Sequence, residues 1–231
     1  GIHCVFPFET GQNVDEFFMR EVWSRGRITH LVLQCQDTQW ETTRKLWENR
    51  KDLPLSKESL RRIIQACRDN YIEPIPCIHL LSHCEWMFRG GHNLEFAENP
   101  ERPYNYNVTD PRTFEFVDQL LTEVIDLFQP QYLHIAHDEV DCARTLAYPS
   151  RPENLPLGKS ELFRRSVQHL HDFLGARGIQ TMLWGDGLLS SVESGSGNAV
   201  VEHENVKSFR ATLPKDLIIM HWEYSDGRKY E

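Results

Sequence analysis

The chain has 231 residues, of which 40% are hydrophobic and 26% charged, a balance typical of a globular protein with a large buried core. Its net charge of −9 argues against nucleic acid or an anionic membrane as a partner, and no apolar run approaches the ~20 residues of a membrane span. The opening Gly-Ile-His-Cys-Val-Phe has neither an initiator Met nor a basic leader, so the chain is expected to be a processed or excised part of a longer protein, without a signal peptide.

The elements can be read in order. Residues 2–8 suit a buried strand, and 14–25 a helix with Phe17, Phe18, Val22 and Trp23 on its apolar face. A second strand, 29–35, ends in Gln-Asp-Thr-Gln-Trp, with Asp37 and Trp40 expected as loop anchors. Ser56 opens a helix whose inner face is Leu60, Ile63, Ile64 and Cys67. In the third strand, 71–80, Pro74 and Pro76 do not suit a central ladder and predict bulged or short pairing. His79, Ser82 and His83 follow, then a long aromatic loop containing the sequon Asn107-Val-Thr. Asp110-Pro111 opens a helix that keeps its period to Phe128. After the strand at 131–141 come a Pro-rich loop, a helix over 159–177 closed by Gly178, and a strand over 179–184 ending Trp184-Gly-Asp186. A weak helix, 202–210, and a sixth strand, 217–224, complete the pattern.

Strand–helix alternation with polar residues after nearly every strand predicts an α/β fold, a (β/α)8 TIM barrel cut after about six units and forming one domain over 1–231. No glycine-rich phosphate loop follows the first strand, which disfavours a nucleotide-binding open sheet. Six cysteines show no Cys-x-x-Cys spacing. Cys4, Cys35 and Cys77 read as reduced core residues, a usage that leans towards a cytoplasmic location, whereas Cys84 and Cys142 are expected near the site, or paired if the protein is exported.

The stretch Gln-Tyr-Leu-His-Ile-Ala-His-Asp-Glu-Val-Asp, 131–141, carries the chemistry. An apolar strand runs into adjacent carboxylates, Asp138 and Glu139, among His134, His137 and Asp141. Two carboxylates in unlike environments are a standard acid/base arrangement. His79, His83, His134, His137 and His221 fall at strand ends that a barrel brings together, so a metal-dependent hydrolase or sugar isomerase is an alternative, and a non-catalytic carbohydrate-binding barrel a third.

Residues 132–140 resemble the His-x-Gly-Gly-Asp-Glu signature of the family 20 glycoside hydrolases, the β-N-acetylhexosaminidases. The segments 71–83, 31–40, 184–186 and 222–224 are similar to that family's other strand ends, in the family's order. The resemblance implies substrate-assisted retaining cleavage of terminal β-linked N-acetylhexosamine, with no cofactor and no metal. Asp138 would orient the 2-acetamido group and Glu139 act as general acid/base. That role needs Glu139 protonated near neutral pH, which an apolar wall and the charge on Asp138 would favour. His83, His137, Trp184, Asp186, Trp222 and Tyr224 would contact the carbohydrate. The chain departs from the pattern at Ala136-His137, where the signature has Gly-Gly and a His side chain is expected beside the carboxylates. It departs again at Cys77 and His79, where the family has acidic residues, and after the first strand, where no Arg follows. Sugar, linkage and oligomeric state are left open by the residues.

Overall fold

A computed structural model of the protein describes residues 2–5, 18–48, 54–142, 147–194 and 199–222. Among them six strands form one sheet in chain order: β1 (Ile2–Val5), β2 (His30–Gln34), β3 (Glu73–Leu80), β4 (Tyr132–Ala136), β5 (Gln180–Trp184) and β6 (Ile218–Met220). Every neighbouring pair is parallel. The helices are α1 (Lys57–Asp69), α2 (Pro111–Phe128), α3 (Gly158–Gly175), the single turn α4 (Ser191–Ser194) and α5 (Val206–Thr212). Of the helix expected over 14–25, a π-helical segment over Phe18–Trp23 lies within the described residues.

Helix starts follow local chemistry. The Ser56 hydroxyl accepts the Ser59 N–H at the head of α1. The Asp110 carboxylate accepts the Arg112 N–H at the head of α2, with Pro111 in the first turn, where its missing N–H costs nothing. Leu120, Leu121, Val124 and Phe128 of α2 and Leu162, Phe163, Val167 and Leu170 of α3 are fully buried against the sheet's outer face. That face is supplied by alternate strand residues, among them Leu31, Leu33, Ile78, Leu133 and Ile135.

The other alternation makes a second cluster: Val32, Ile75, Cys77, Ala136, Met182 and Trp184, with Tyr132, Ile218, Met220 and Trp222 packed against it. These side chains point inwards, and the sheet curls around them. The rings of His3 on β1 and Trp184 on β5 meet edge-on with centroids 5.4 Å apart, although three strands lie between them. The architecture is a six-strand arc of a (β/α) barrel, covered by helices outside and closing on its own side chains inside.

The prolines of β3 act as their chemistry requires. Glu73 N–H donates to Thr29 O and Cys35 N–H to Cys77 O, so the odd-numbered residues of β3 face β2. Pro74 and Pro76, without N–H groups, therefore face β4, and pairing with β4 begins only at Cys77 and shifts register before Leu80. Asp37 and Trp40 anchor the β2 loop: Asp37 pairs with Arg89, and the Trp40 indole donates to Cys35 O. Asn107 of the sequon is 3% exposed, its amide oxygen accepting from Thr109 and Asn154.

Leu133 is wholly buried between β4 and the helices. Leu133→Ala is expected to lower unfolding stability by about 2–5 kcal/mol, read as a fall in the urea midpoint at unchanged slope.

Candidate active site

The end of β4 fixes the site. Inward and outward positions alternate along the strand: Tyr132 and Ala136 belong to the interior cluster, Leu133 and Ile135 to the outer one. His137 continues the alternation outwards. It is fully buried, its Nδ1–H donates to Ile135 O (2.9 Å), and its Nε2 accepts from Ser166 on α3 (2.9 Å). Its ring stands edge-on to Phe163, centroids 5.5 Å apart. The expected place for His137 beside the carboxylates, as a sugar contact, is thus corrected. The two-residue period of a strand sends the side chain into the helix layer.

Three residues of this turn are left-handed: Ala136 (φ 59°), His137 (φ 67°) and Glu139 (φ 49°). This conformation costs a non-glycine residue about 1–2 kcal/mol. The Gly-Gly of the resembling signature falls on the first two of these positions, where a left-handed backbone costs glycine nothing and costs Ala136-His137 strain. The left-handed turn leaves Asp138 facing the interior and Glu139 at the mouth, their side chains 14% and 33% exposed.

His83, itself left-handed at φ 51° at the end of β3, stands between the carboxylates. Its Nε2 lies 3.4 Å from Asp138 Oδ2 and 3.2 Å from Glu139 Oε2. His79 Nδ1 is 3.5 Å from Asp138 Oδ1, and the two imidazoles meet edge-on, centroids 5.1 Å apart. Burial pushes the Asp138 carboxyl up, but the two histidines outweigh it and hold the group below the usual carboxylate range. Burial, opposed by the charge of Asp138, lowers His83. Asp186, at the end of β5, goes the other way. Burial and the charge of Asp138 raise it to about 6, against the opposing pull of the Glu139 N–H.

Side chains from two directions hold the backbone of the carboxylate pair. Ser82 donates to Asp138 O, Tyr104 to Glu139 O (3.3 Å) and Asn105 to Val140 O (3.0 Å). Asp186 Oδ2 accepts the Glu139 N–H (2.8 Å). Ser82, Tyr104 and Asn105 were not singled out in the sequence as site residues. Their only signal is that a long aromatic loop follows a strand end rich in His. His134 Nδ1 accepts the Ala136 N–H (3.0 Å), and its ring tilts against Trp184, centroids 4.4 Å apart. Trp184 is 8% exposed and floors the interior, with Trp222 packed on the same cluster; Tyr224 lies outside the described residues. Asp141 turns away to pair with Lys159. Cys35, Cys67, Cys77, Cys84 and Cys142 form no disulfide with one another. Among the described residues no three His, Cys, Asp or Glu side chains are placed to share one metal ion.

The arc places the Asp138–Glu139 pair, with His83 between them, after its fourth strand, at the end where (β/α) barrels carry their catalytic groups. The chain belongs to glycosyl hydrolase family 20: the model of that family's catalytic domain matches residues 33–231. A 90-residue stretch is 34% identical to beta-hexosaminidase A of Caenorhabditis briggsae, covering 37% of this chain and 16% of that protein. The fold is shared with dispersin B (TM-score 0.68, 20% identity, 100% of this chain and 66% of the other). It is shared too with a chitobiase of Flavobacterium johnsoniae (TM-score 0.72, 17% identity, 97% and 34%) and a beta-N-acetylhexosaminidase of Bacteroides fragilis (TM-score 0.66, 17% identity, 98% and 46%). The chain spans about two thirds or less of the length of each of these relatives.

Burial lowers His137 from 6.5 to about 4. The unfolded state then takes up the proton first, so stability is full above pH 6.5 and is lost as pH falls towards 4. His137→Gln should be less stable than wild type at pH 7 by about 1–3 kcal/mol. The gap should narrow between pH 6.5 and 4, as read from urea midpoints, with no change in KM at pH 7.

Proposed function

We propose that the protein is a glycoside hydrolase that removes terminal β-linked N-acetylhexosamine by substrate-assisted catalysis. The observation that carries this reading is the pair of adjacent carboxylates held in unlike settings. Asp138 is buried among imidazoles that keep it ionised, and Glu139 stands at the mouth of the barrel, both within reach of one His83 nitrogen. Family membership and the beta-hexosaminidase relative support it.

In this mechanism the ionised Asp138 accepts the N–H of the substrate's 2-acetamido group and turns the amide oxygen towards the anomeric carbon. That oxygen attacks as the glycosidic bond breaks, and Glu139 gives its proton to the departing oxygen. A cyclic oxazolinium forms, its charge facing Asp138. Water then attacks the anomeric carbon on the opposite face as Glu139 takes its proton; the bond to the acetamido oxygen breaks, the acetamido group is restored, and the sugar leaves with its β configuration retained. Trp184 and Trp222 supply apolar wall to the sugar and the acetamido methyl. By the resemblance, Tyr224 would hydrogen-bond the acetamido oxygen.

Hydrolysis of an aryl β-N-acetylhexosaminide tests the reading. Glu139→Gln should lower kcat by about 10²–10⁴, and Asp138→Asn should lose rate on the acetamido sugar. EDTA should leave wild-type activity unchanged. Loss of activity with EDTA would favour the metal alternative, and a sugar-induced rise in Tm without cleavage would favour a binding barrel.

A further inference from the structure

We propose that Asp186 is a positioning residue for Glu139: from β5 its carboxylate accepts the Glu139 backbone N–H and fixes the left-handed turn that aims the Glu139 side chain into the barrel mouth. The inference rests on reading Glu139 as the proton donor, and it gives Asp186 a role other than the sugar contact expected from the sequence.

Asp186 is 8% exposed, and its hydrogen-bond partner is a main-chain N–H 2.8 Å away rather than a cation. A buried carboxylate needs such a partner. The charge of Asp138 opposes its own. The arrangement is costly for Asp186 itself, and its return falls on Glu139. The left-handed φ of 49° strains a non-glycine residue such as Glu139. A hydrogen bond to a charged acceptor is stronger than one to a neutral acceptor and opposes that strain.

The segment carrying Asp186 is seated for this contact. A Cβ on Gly185 would lie 2.9 Å from Ile219 Cγ2 of β6. One on Gly187 would lie 2.8 Å from Phe163 Cε2 of α3 and 3.6 Å from His137 O. Glycine on both sides therefore lets the end of β5 press against its neighbours, and Asp186 is the side chain between them that reaches β4. Ser82, Tyr104 and Asn105 fix the carbonyls of residues 138–140 from the opposite side, leaving the Glu139 N–H to Asp186.

The test compares Asp186→Asn, whose amide oxygen can still accept the Glu139 N–H, with Asp186→Ala, which cannot. On an aryl N-acetylhexosaminide, Asp186→Ala should lower kcat about 100-fold, the scale of an ångström-sized misplacement. Asp186→Asn should restore most of that loss, and KM should change less than about threefold in both. The proposal is overturned if Asp186→Ala keeps wild-type kcat, if Asn is no better than Ala, or if KM rises as kcat falls. A second readout is independent of turnover. In protein labelled with ¹⁵N-glutamate, with the resonance assigned by its loss in Glu139→Gln, the Glu139 amide proton should titrate near pH 6 in wild type and stay flat in Asp186→Asn. An amide that does not respond to either change overturns the contact. If wild type cleaves no N-acetylhexosaminide, the proposed activity fails on its own, and the amide titration still decides whether Asp186 holds Glu139.

Discussion

The site depends on one stretch of strained backbone. Between Ala136 and Glu139 three non-glycine residues are left-handed, in a chain that has just left a buried parallel strand. Such a conformation persists only where the surroundings over-determine it. Here they do: the hydroxyls of Ser82 and Tyr104, the amide of Asn105 and the carboxylate of Asp186 each take one backbone group of residues 138–140. Through its own hydrogen bonds His137 ties the same turn to α3. The turn converts the strict two-face alternation of a strand into an arrangement where neighbouring carboxylates serve one opening.

That geometry creates an electrostatic asymmetry. Asp138 and Asp186 are both buried at adjacent strand ends, yet burial prevails in one and is outweighed in the other. Asp138 has His79 and His83 within 3.5 Å and stays low. Asp186 has a main-chain N–H and a like-charged neighbour, and rises to about 6. The histidines therefore act on the carboxylate that the proposed mechanism keeps ionised. His79 stands where the resembling family has an acidic residue, so this chain surrounds Asp138 with two imidazoles. Those imidazoles stand within 3.5 Å of Asp138 without placing another negative charge beside it.

Much of the fold was legible because its signals are local. The 3.6-residue period of 111–128, the Ser56 and Asp110 caps and the apolar strands gave the β/α order, and Pro74 and Pro76 pointed to the short β3–β4 pairing. The carboxylate pair was legible too, because its neighbours in sequence are its neighbours in space. The side of the sheet taken by His137 follows only from extending the alternation of Leu133 and Ile135 by one further step through a turn whose backbone the residue types do not show. The backbone holders Ser82, Tyr104 and Asn105 lie 35 residues or more from their partners and act on carbonyls, which leave no mark on residue type. Asp186 was visible as a polar strand end, but its partner, a main-chain N–H 47 residues away, was not.

On the proposed reading the clamped turn presents Asp138 and Glu139 together to one sugar on an apolar floor. A crystal structure of the protein with bound N-acetylglucosamine tests it most directly. The acetamido nitrogen should lie within hydrogen-bond distance of Asp138, with Glu139 beside the anomeric oxygen and the ring against Trp184 and Trp222. A sugar seated instead in the 610 Å³ groove between α3 and α5, or in the barrel mouth with its acetamido group turned away from Asp138, would contradict the account.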